Sequence, residues 1–512
     1  MYIRGQLCLT IAMLAAEERA AAEAIVALGL HYPYVAEREG LVLIALSEDY
    51  RAGDPEHNAR RRAVRAQYLL ERAHAALSAG AERDSECTRL YEGLLRVVLQ
   101  SKFEPMFRSL AQACQSAGLM LRRVASYEQF VKDAEPWLAL PGEPLGLRTG
   151  LPHLFAFLFQ IRRAAMLIEG QPLLGRSRAA DEVRAALWRA VFSRDLARYE
   201  RMLYRQMHRL PVLVVGPRGT LKEEVARIVG LCGYVPFDAE RLRFTSEPAM
   251  SLRHWDARTG LPGQAELVPA PRGQGADESE PVREPAVGAG VSRHDCWVLG
   301  EVDRLDSTQQ SHLVERLEGL LGRGEPGRGP GLGPRMIAVS DEELETAMTA
   351  GTFREDLYFF LSAHRVELPA LATELRQHPD DLTFYVSQAL APLLEGSELR
   401  AATEEVVQYI ERKLPQHVFP GNQRELAHCA RAILMGGDYR PKSRPVEAAD
   451  AVLSGLAQRF ISGDFDMDGL LDAYCTLMYG RTGSYQESAR RLGIDRRTVK
   501  SRVNAALLAE LS

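Results

Sequence analysis

Read as a pattern of apolar and polar positions, the first third of the chain is helical. Residues 57–77 are rich in Ala, Arg, Leu and Glu, and residues 90–121 space their apolar side chains by three and four, which gathers them on one helix face. The short apolar run at 42–46 fits a strand. The rhythm changes at 211–215, where PVLVV is a β-branched run of the kind buried in a parallel sheet, and an amphipathic helix through Val225, Ile228 and Val229 follows. Toward the end, residues 470–479 predict a helix, 480–484 a turn and 484–492 a second helix. Gly493 and Ile494 make a tight turn, and Asp495 caps a third helix running to about residue 508. This is a helix-turn-helix pattern.

Breaks in the pattern divide the chain. Ten Gly or Pro among the 32 residues at 261–292, with no aromatic ring, bury too little apolar area to offset ordering entropy, so this stretch reads as a disordered insertion. Residues 322–334 hold nine Gly or Pro in 13, yet they follow a helical pattern and lack the strand that precedes a phosphate-binding loop. A further break near 436–445 sets off the tail. The expected organisation is multidomain: a mainly helical region of unknown role over 1–170, an α/β region over 171–440 with the insertion inside it, and a linker plus all-α helix-turn-helix over 441–512.

Composition narrows the class. Seven dispersed Cys with no CxxC argue for a reducing, cytoplasmic setting without a disulfide frame or a zinc knuckle, and the twelve His form no metal-binding motif. No run reaches the ~18 apolar residues a membrane span needs, and the apolar stretch at 7–16 leads directly into an Ala-rich helical pattern, so it reads as a helix and not as an export signal. The 63 Lys and Arg against 68 Asp and Glu give a net charge of −5, which leaves no global basic character. Over 480–512, however, seven cations face three acids. That is the local basic surface nucleic-acid binding requires.

Candidate chemistry sits directly after the 211–215 strand, where GPRGTLKE occupies 216–223. A strand, a glycine-containing loop ending in Lys222, and a helix is the context in which backbone N–H groups and a helix N-terminus hold phosphates. Leu221 stands where the motif asks for glycine, and a side chain there narrows the cradle. A strand–turn–helix unit that binds nothing fits the same residues.

With its neighbours this loop resembles the AAA+ domain of the bacterial enhancer-binding proteins, the ATPases that remodel sigma-54 RNA polymerase. GPRGTLKE is similar to that family's GETGTGKE, and Cys296-Trp-Val-Leu-Gly-Glu-Val302 to its Walker B segment LFLDEI. Residues 335–344 resemble the sensor I strand, GTFREDLY at 351–358 resembles GxFREDLYYRL, LPAL at 368–371 stands where LPPL is expected, and FPGNQREL at 419–426 is similar to the sensor II segment WPGNVREL. LGRS at 174–177 resembles the family's lead-in, but about a dozen extra residues, including 194–208, separate it from the strand. The resemblance implies an α/β P-loop AAA+ domain with a helical lid, an ATP site at Gly216, Gly219, Thr220, Lys222, Glu223 and Arg424, and catalytic roles for Glu301 and Arg354.

The departures bear on activity. The carboxylate that organises Mg²⁺ falls at Gly300, Asp341 replaces the sensor I Asn and sets an anion where a γ-phosphate would lie, and Phe360 takes the place of one of two trans-acting arginines. The GAFTGA loop that contacts the sigma factor is absent, and the low-complexity insertion fills its interval. In the tail, GSYQESARRLGIDRRTVKSRV at 483–503 resembles the Fis-type DNA-binding helix pair, which implies that Arg496, Arg497, Thr498, Lys500, Ser501 and Arg502 engage double-stranded DNA. Three readings stand at this point. The chain is a cytoplasmic DNA-binding transcriptional regulator with a weakly or non-hydrolysing AAA+ module that assembles as a dimer or ring; or an active ATPase acting on sigma-54 RNA polymerase holoenzyme; or an adaptor that joins rings of active relatives.

Overall fold

The computed structural model describes residues 13–30, 38–113, 122–141, 150–170, 174–246, 252–256, 296–321, 335–341, 344–436, 438–441, 466–504 and 507–508. The insertion at 261–292, the Gly/Pro stretch at 322–334 and the start of the apolar run at 7–16 lie outside the described residues. The chain divides into two compact units, residues 1–435 and 436–512.

The first unit opens with helices α1 (Ala16–Leu30), α2 (Arg38–Leu46), α3 (Pro55–Ser78), α4 (Ser85–Ala113), α5 (Ser126–Leu138) and α6 (Gly150–Gly170). The start of α3 is set by Asp54, whose carboxylate accepts the His57 N–H at 2.9 Å with Pro55 at the first helical position. Residues 42–46, expected as a strand, are the end of α2: a five-residue apolar run fits either state, and here Ala45 and Leu46 are buried in the helical core. α6 is the one described helix long and apolar enough to cross a membrane, and two-thirds of that apolar window is buried inside this unit. Its Phe155 lies 4.8 Å from Phe237 and its Phe159 4.8 Å from Phe244, ring centre to ring centre, on a short hairpin of β2 (Phe237–Asp238) and β3 (Arg243–Phe244). One hydrophobic core therefore runs from α1 through α6 into the α/β region, with no break at 170.

Beyond α6 come α7 (Arg178–Phe192) and α8 (Leu196–Arg201), then β1 (Val212–Val215) and α9 (Lys222–Leu231). β4 (Leu252–Asp256), β5 (Cys296–Gly300), β6 (Arg335–Ser340) and β7 (His364–Glu367) complete a five-stranded parallel sheet in the order β4-β5-β6-β1-β7. β1 is buried at every position, as its continuous apolar run requires of a strand covered on both faces. α10 (Ser307–Leu321), α11 (Leu344–Thr349), α12 (Glu355–Leu361) and α13 (Leu371–Gln377) intervene, and α14 (Asp381–Leu390), α15 (Gly396–Lys413) and α16 (Asn422–Leu434) form a helical cluster. Because the strands are parallel, the segments that follow them gather at one end of the sheet, which is where such sheets bind ligands.

The second unit holds α17 (Met467–Thr482), α18 (Tyr485–Leu492) and α19 (Arg496–Arg502) around Cys475, Ala489 and Val499. The turn expected at 480–484 is shorter: the Thr482 hydroxyl donates to the Met478 carbonyl at 2.9 Å and keeps the helix going until Gly483, which is left-handed at φ 63°. The third helix ends at Arg502, short of 508, because Val503 turns to extended backbone.

Candidate functional site

Lys222 opens α9 and is 6% exposed. An ammonium group has three N–H donors. Here they meet the carbonyls of Gly216 and Pro217 and the Asp341 carboxylate, each at 2.8 Å. Arg218 adds a second cation to Asp341 at 3.0 Å, and Asp303 holds the same segment by accepting the Asp341 N–H at 3.2 Å. The sequence expectation for Asp341 was repulsion of a phosphate; in the structure it also takes the cations a phosphate would use. Pro217 removes one backbone donor from the loop, and its carbonyl accepts the Thr220 hydroxyl at 2.7 Å.

Backbone conformation at this end of the sheet is costly. Leu221 is left-handed at φ 59°, the conformation that glycine adopts freely and a side chain does not. Glu301, Phe419 and Asn422 are also left-handed, so four of the seven described non-glycine residues with positive φ lie in these few segments. Such clusters mark sites whose geometry the surroundings impose.

The start of α16 lies directly on the loop. The Arg424 N–H donates to the Gly219 carbonyl at 3.2 Å, and the Asn422 amide donates to the Arg218 carbonyl at 2.8 Å while accepting the Leu371 N–H at 2.8 Å. A Cβ on Gly219 would stand 2.2 Å from the Gly421 carbonyl oxygen, so only glycine fits. Gly216, Gly219, Thr220, Lys222 and Arg424 are thus brought together, Arg424 through its backbone. Asn422 and Asp303 join them without having been singled out, although Asn422 lies inside the FPGNQREL motif and could have been found there.

The other expected residues point elsewhere. Glu223 pairs with His254 at 2.7 Å, and a Cβ on Gly300 would lie 3.0 Å from its carboxylate, so an Asp at 300 would crowd a second anion against it. Glu301 pairs with Arg304 at 3.3 Å. Arg354 pairs with Asp356 at 2.6 Å and donates to the Ser311 hydroxyl at 3.0 Å. The lead-in is docked on the lid: the Arg176 N–H donates to Asp381 at 2.6 Å, the Gly175 N–H to the Tyr385 hydroxyl at 2.8 Å, and that hydroxyl to Glu374. Burial, and next the Asp381 charge, push the Glu374 carboxyl up to about 8.

In the second unit Asp495 accepts the Arg497 N–H at 2.7 Å and caps α19. Arg496, Arg497, Thr498, Lys500 and Ser501 are exposed along that helix. Arg502 is half-buried and turned inward to Asp468 at 2.7 Å and Asp472 at 3.1 Å, which ties α19 to α17.

No protein-family model matches the chain. It is 31% identical over 168 residues to the C4-dicarboxylate transport transcriptional regulatory protein DctD of Rhizobium meliloti, covering 32% of this chain and 33% of the relative. It is 25% identical over 285 residues to the nitrogen assimilation regulatory protein NtrX of Azorhizobium caulinodans, covering 54% of each, and 26% identical over 273 residues to the DNA-binding transcriptional regulator NtrC of Rhizobium meliloti, covering 52% and 48%. The chain thus spans from a third to about half the length of these relatives. The crystal structure of NtrX from Brucella abortus in complex with ATP aligns over 86% of this chain and 81% of that one, at 17% identity and a TM-score of 0.32.

Proposed function

Because the chain belongs to the sigma-54-type enhancer-binding regulators, we propose that it is a DNA-binding transcriptional regulator whose AAA+ module stays closed on its own side chains and works by assembly instead of ATP turnover. The observation that carries this reading is the Lys222 ammonium, all three of whose donors are taken inside the protein, one by a carboxylate. A nucleotide entering here must displace Asp341 from two cations and part the start of α16 from the loop. The Mg²⁺ that would bridge its phosphates has no carboxylate at Gly300. Titration of the purified chain with a fluorescent ATP analogue, alongside a turnover assay, tests the reading. Turnover abolished by Lys222→Ala would overturn it.

For the tail, the exposed Arg496, Arg497 and Lys500 on a capped helix support contact with DNA phosphates and base edges in a major groove. On α17, Met467, Leu471 and Tyr474 are 75%, 40% and 55% exposed at spacings of four and three, an apolar stripe suited to a second copy of the same unit. Paired units bind a palindromic site. Replacing Arg496 and Arg497 with Ala is expected to abolish a gel shift, whereas Leu471→Asp weakens binding to a palindrome more than to a half-site; equal losses on both would count against pairing through α17.

A further inference from the structure

A cavity lies at the opposite end of the sheet from the phosphate loop. It has a volume of about 360 Å³, within the range of small-molecule sites, and is walled by α6, by the starts of β5 and β6, and by the segment around 199–208. That segment belongs to the extra residues that separate the lead-in from β1, and it folds as α8 and two short 3-10 turns.

The floor of the cavity carries a charge with no partner of opposite sign. Arg335, the first residue of β6, is 7% exposed, and its guanidinium donates to the Ala190 carbonyl. Its Nε is buried without a hydrogen-bond partner, and no carboxylate pairs with it among the described residues. Burial lowers the basicity of the guanidinium, a group that stays charged in proteins. An isolated buried cation is expensive unless something compensates it. Among the described residues no Asp or Glu lines the cavity. His153 does not compete for an anion: its ring nitrogens are engaged by the Tyr234 hydroxyl at 2.7 Å and the Glu200 carbonyl at 2.9 Å, and burial lowers its pKa to about 4.

The walls mix aromatic rings with polar edges. Tyr204 stands edge-on to Tyr234 at 4.7 Å and lies 4.2 Å from His153, and Tyr199, Phe237, Met207 and the buried His208 also line the cavity. Arg205 stacks over the Tyr204 ring at 5.2 Å as a second, exposed cation. From these features we infer that the cavity binds a small aromatic carboxylate, its ring packed against the tyrosine edges and faces and its carboxylate on the Arg335 guanidinium, a planar fork that matches both carboxylate oxygens.

Thermal melting and calorimetry on the full chain test this, with benzoate and 4-hydroxybenzoate as probes and benzyl alcohol as the uncharged control. The carboxylates are expected to raise the melting temperature saturably and benzyl alcohol to leave it unmoved. Arg335→Met removes the buried charge at similar length, so without probe it should melt at or above the wild-type temperature, while its affinity for the carboxylates falls at least about tenfold. Failure of Arg335→Met to fold, or melting several degrees lower, would make the guanidinium a structural prop and overturn the assignment. So would carboxylates that leave the wild type unshifted, or that bind the variant equally well.

Discussion

At the scale of single residues, the candidate nucleotide site turns on Asp341. An Asn would keep an oxygen for the Lys222 ammonium but drop the charge that holds Lys222 and Arg218. Asp341→Asn combined with Leu221→Gly is therefore expected to bind a fluorescent ATP analogue at least about tenfold more tightly than the wild type, a gain of about 1.4 kcal/mol, and still not to turn it over, since Gly300 supplies no carboxylate. An unchanged titration would show that Asp341 is not what keeps nucleotide out. Leu221→Gly alone should barely move the melting temperature. It relieves about 1–2 kcal/mol of left-handed strain but adds about 0.5–1 kcal/mol of chain entropy to the unfolded state.

Among elements, the contact between the 174–177 lead-in and helices α13 and α14 stores a pH dependence. Glu374, raised to about 8, keeps a proton in the folded state that an unfolded Glu releases near pH ~4.3. Between those values the folded state binds more protons, so stability falls as pH rises through the window. The wild-type melting temperature should drop from about pH 5 to about pH 8.5 by more than that of Glu374→Gln, which stays neutral throughout. Matching slopes would remove Glu374 from this role. The sequence points to this contact only faintly. Asp380-Asp381 reads as acids favoured at a helix start, whereas Asp381 is 1% exposed and accepts the Arg176 N–H, a bond between residues 205 positions apart.

For the whole molecule, the domain boundary expected at 170 is not a break in packing. Phe155, Phe157 and Phe159 of α6 are at most 1% exposed, and burial of such side chains is worth about 1.5–3 kcal/mol each, comparable together with the net stability of a domain. A chain beginning at residue 171 is expected to aggregate or to melt without cooperativity, while one ending at Met435 should melt as the full chain does; a stable, cooperative 171–435 fragment would refute the shared core. The net charge of −5 likewise describes no part of the molecule well, because the tail is locally basic.

The sequence by itself determined the local units: the β1 strand with its following loop and helix, the capped helices of the tail, and the ordered motifs that carry the family resemblance. These depend on neighbours a few positions apart, where periodicity, caps and glycines act. Tertiary structure decided what those units do to one another. Only the parallel sheet brings Asp341 of one strand end to Lys222 of another, and only the fold sets Gly421 on Gly219 and leaves Arg335 buried with no acid paired to it among the described residues. Whether a charge finds a phosphate, a carboxylate or nothing depends on distances in space that no spacing along the chain records.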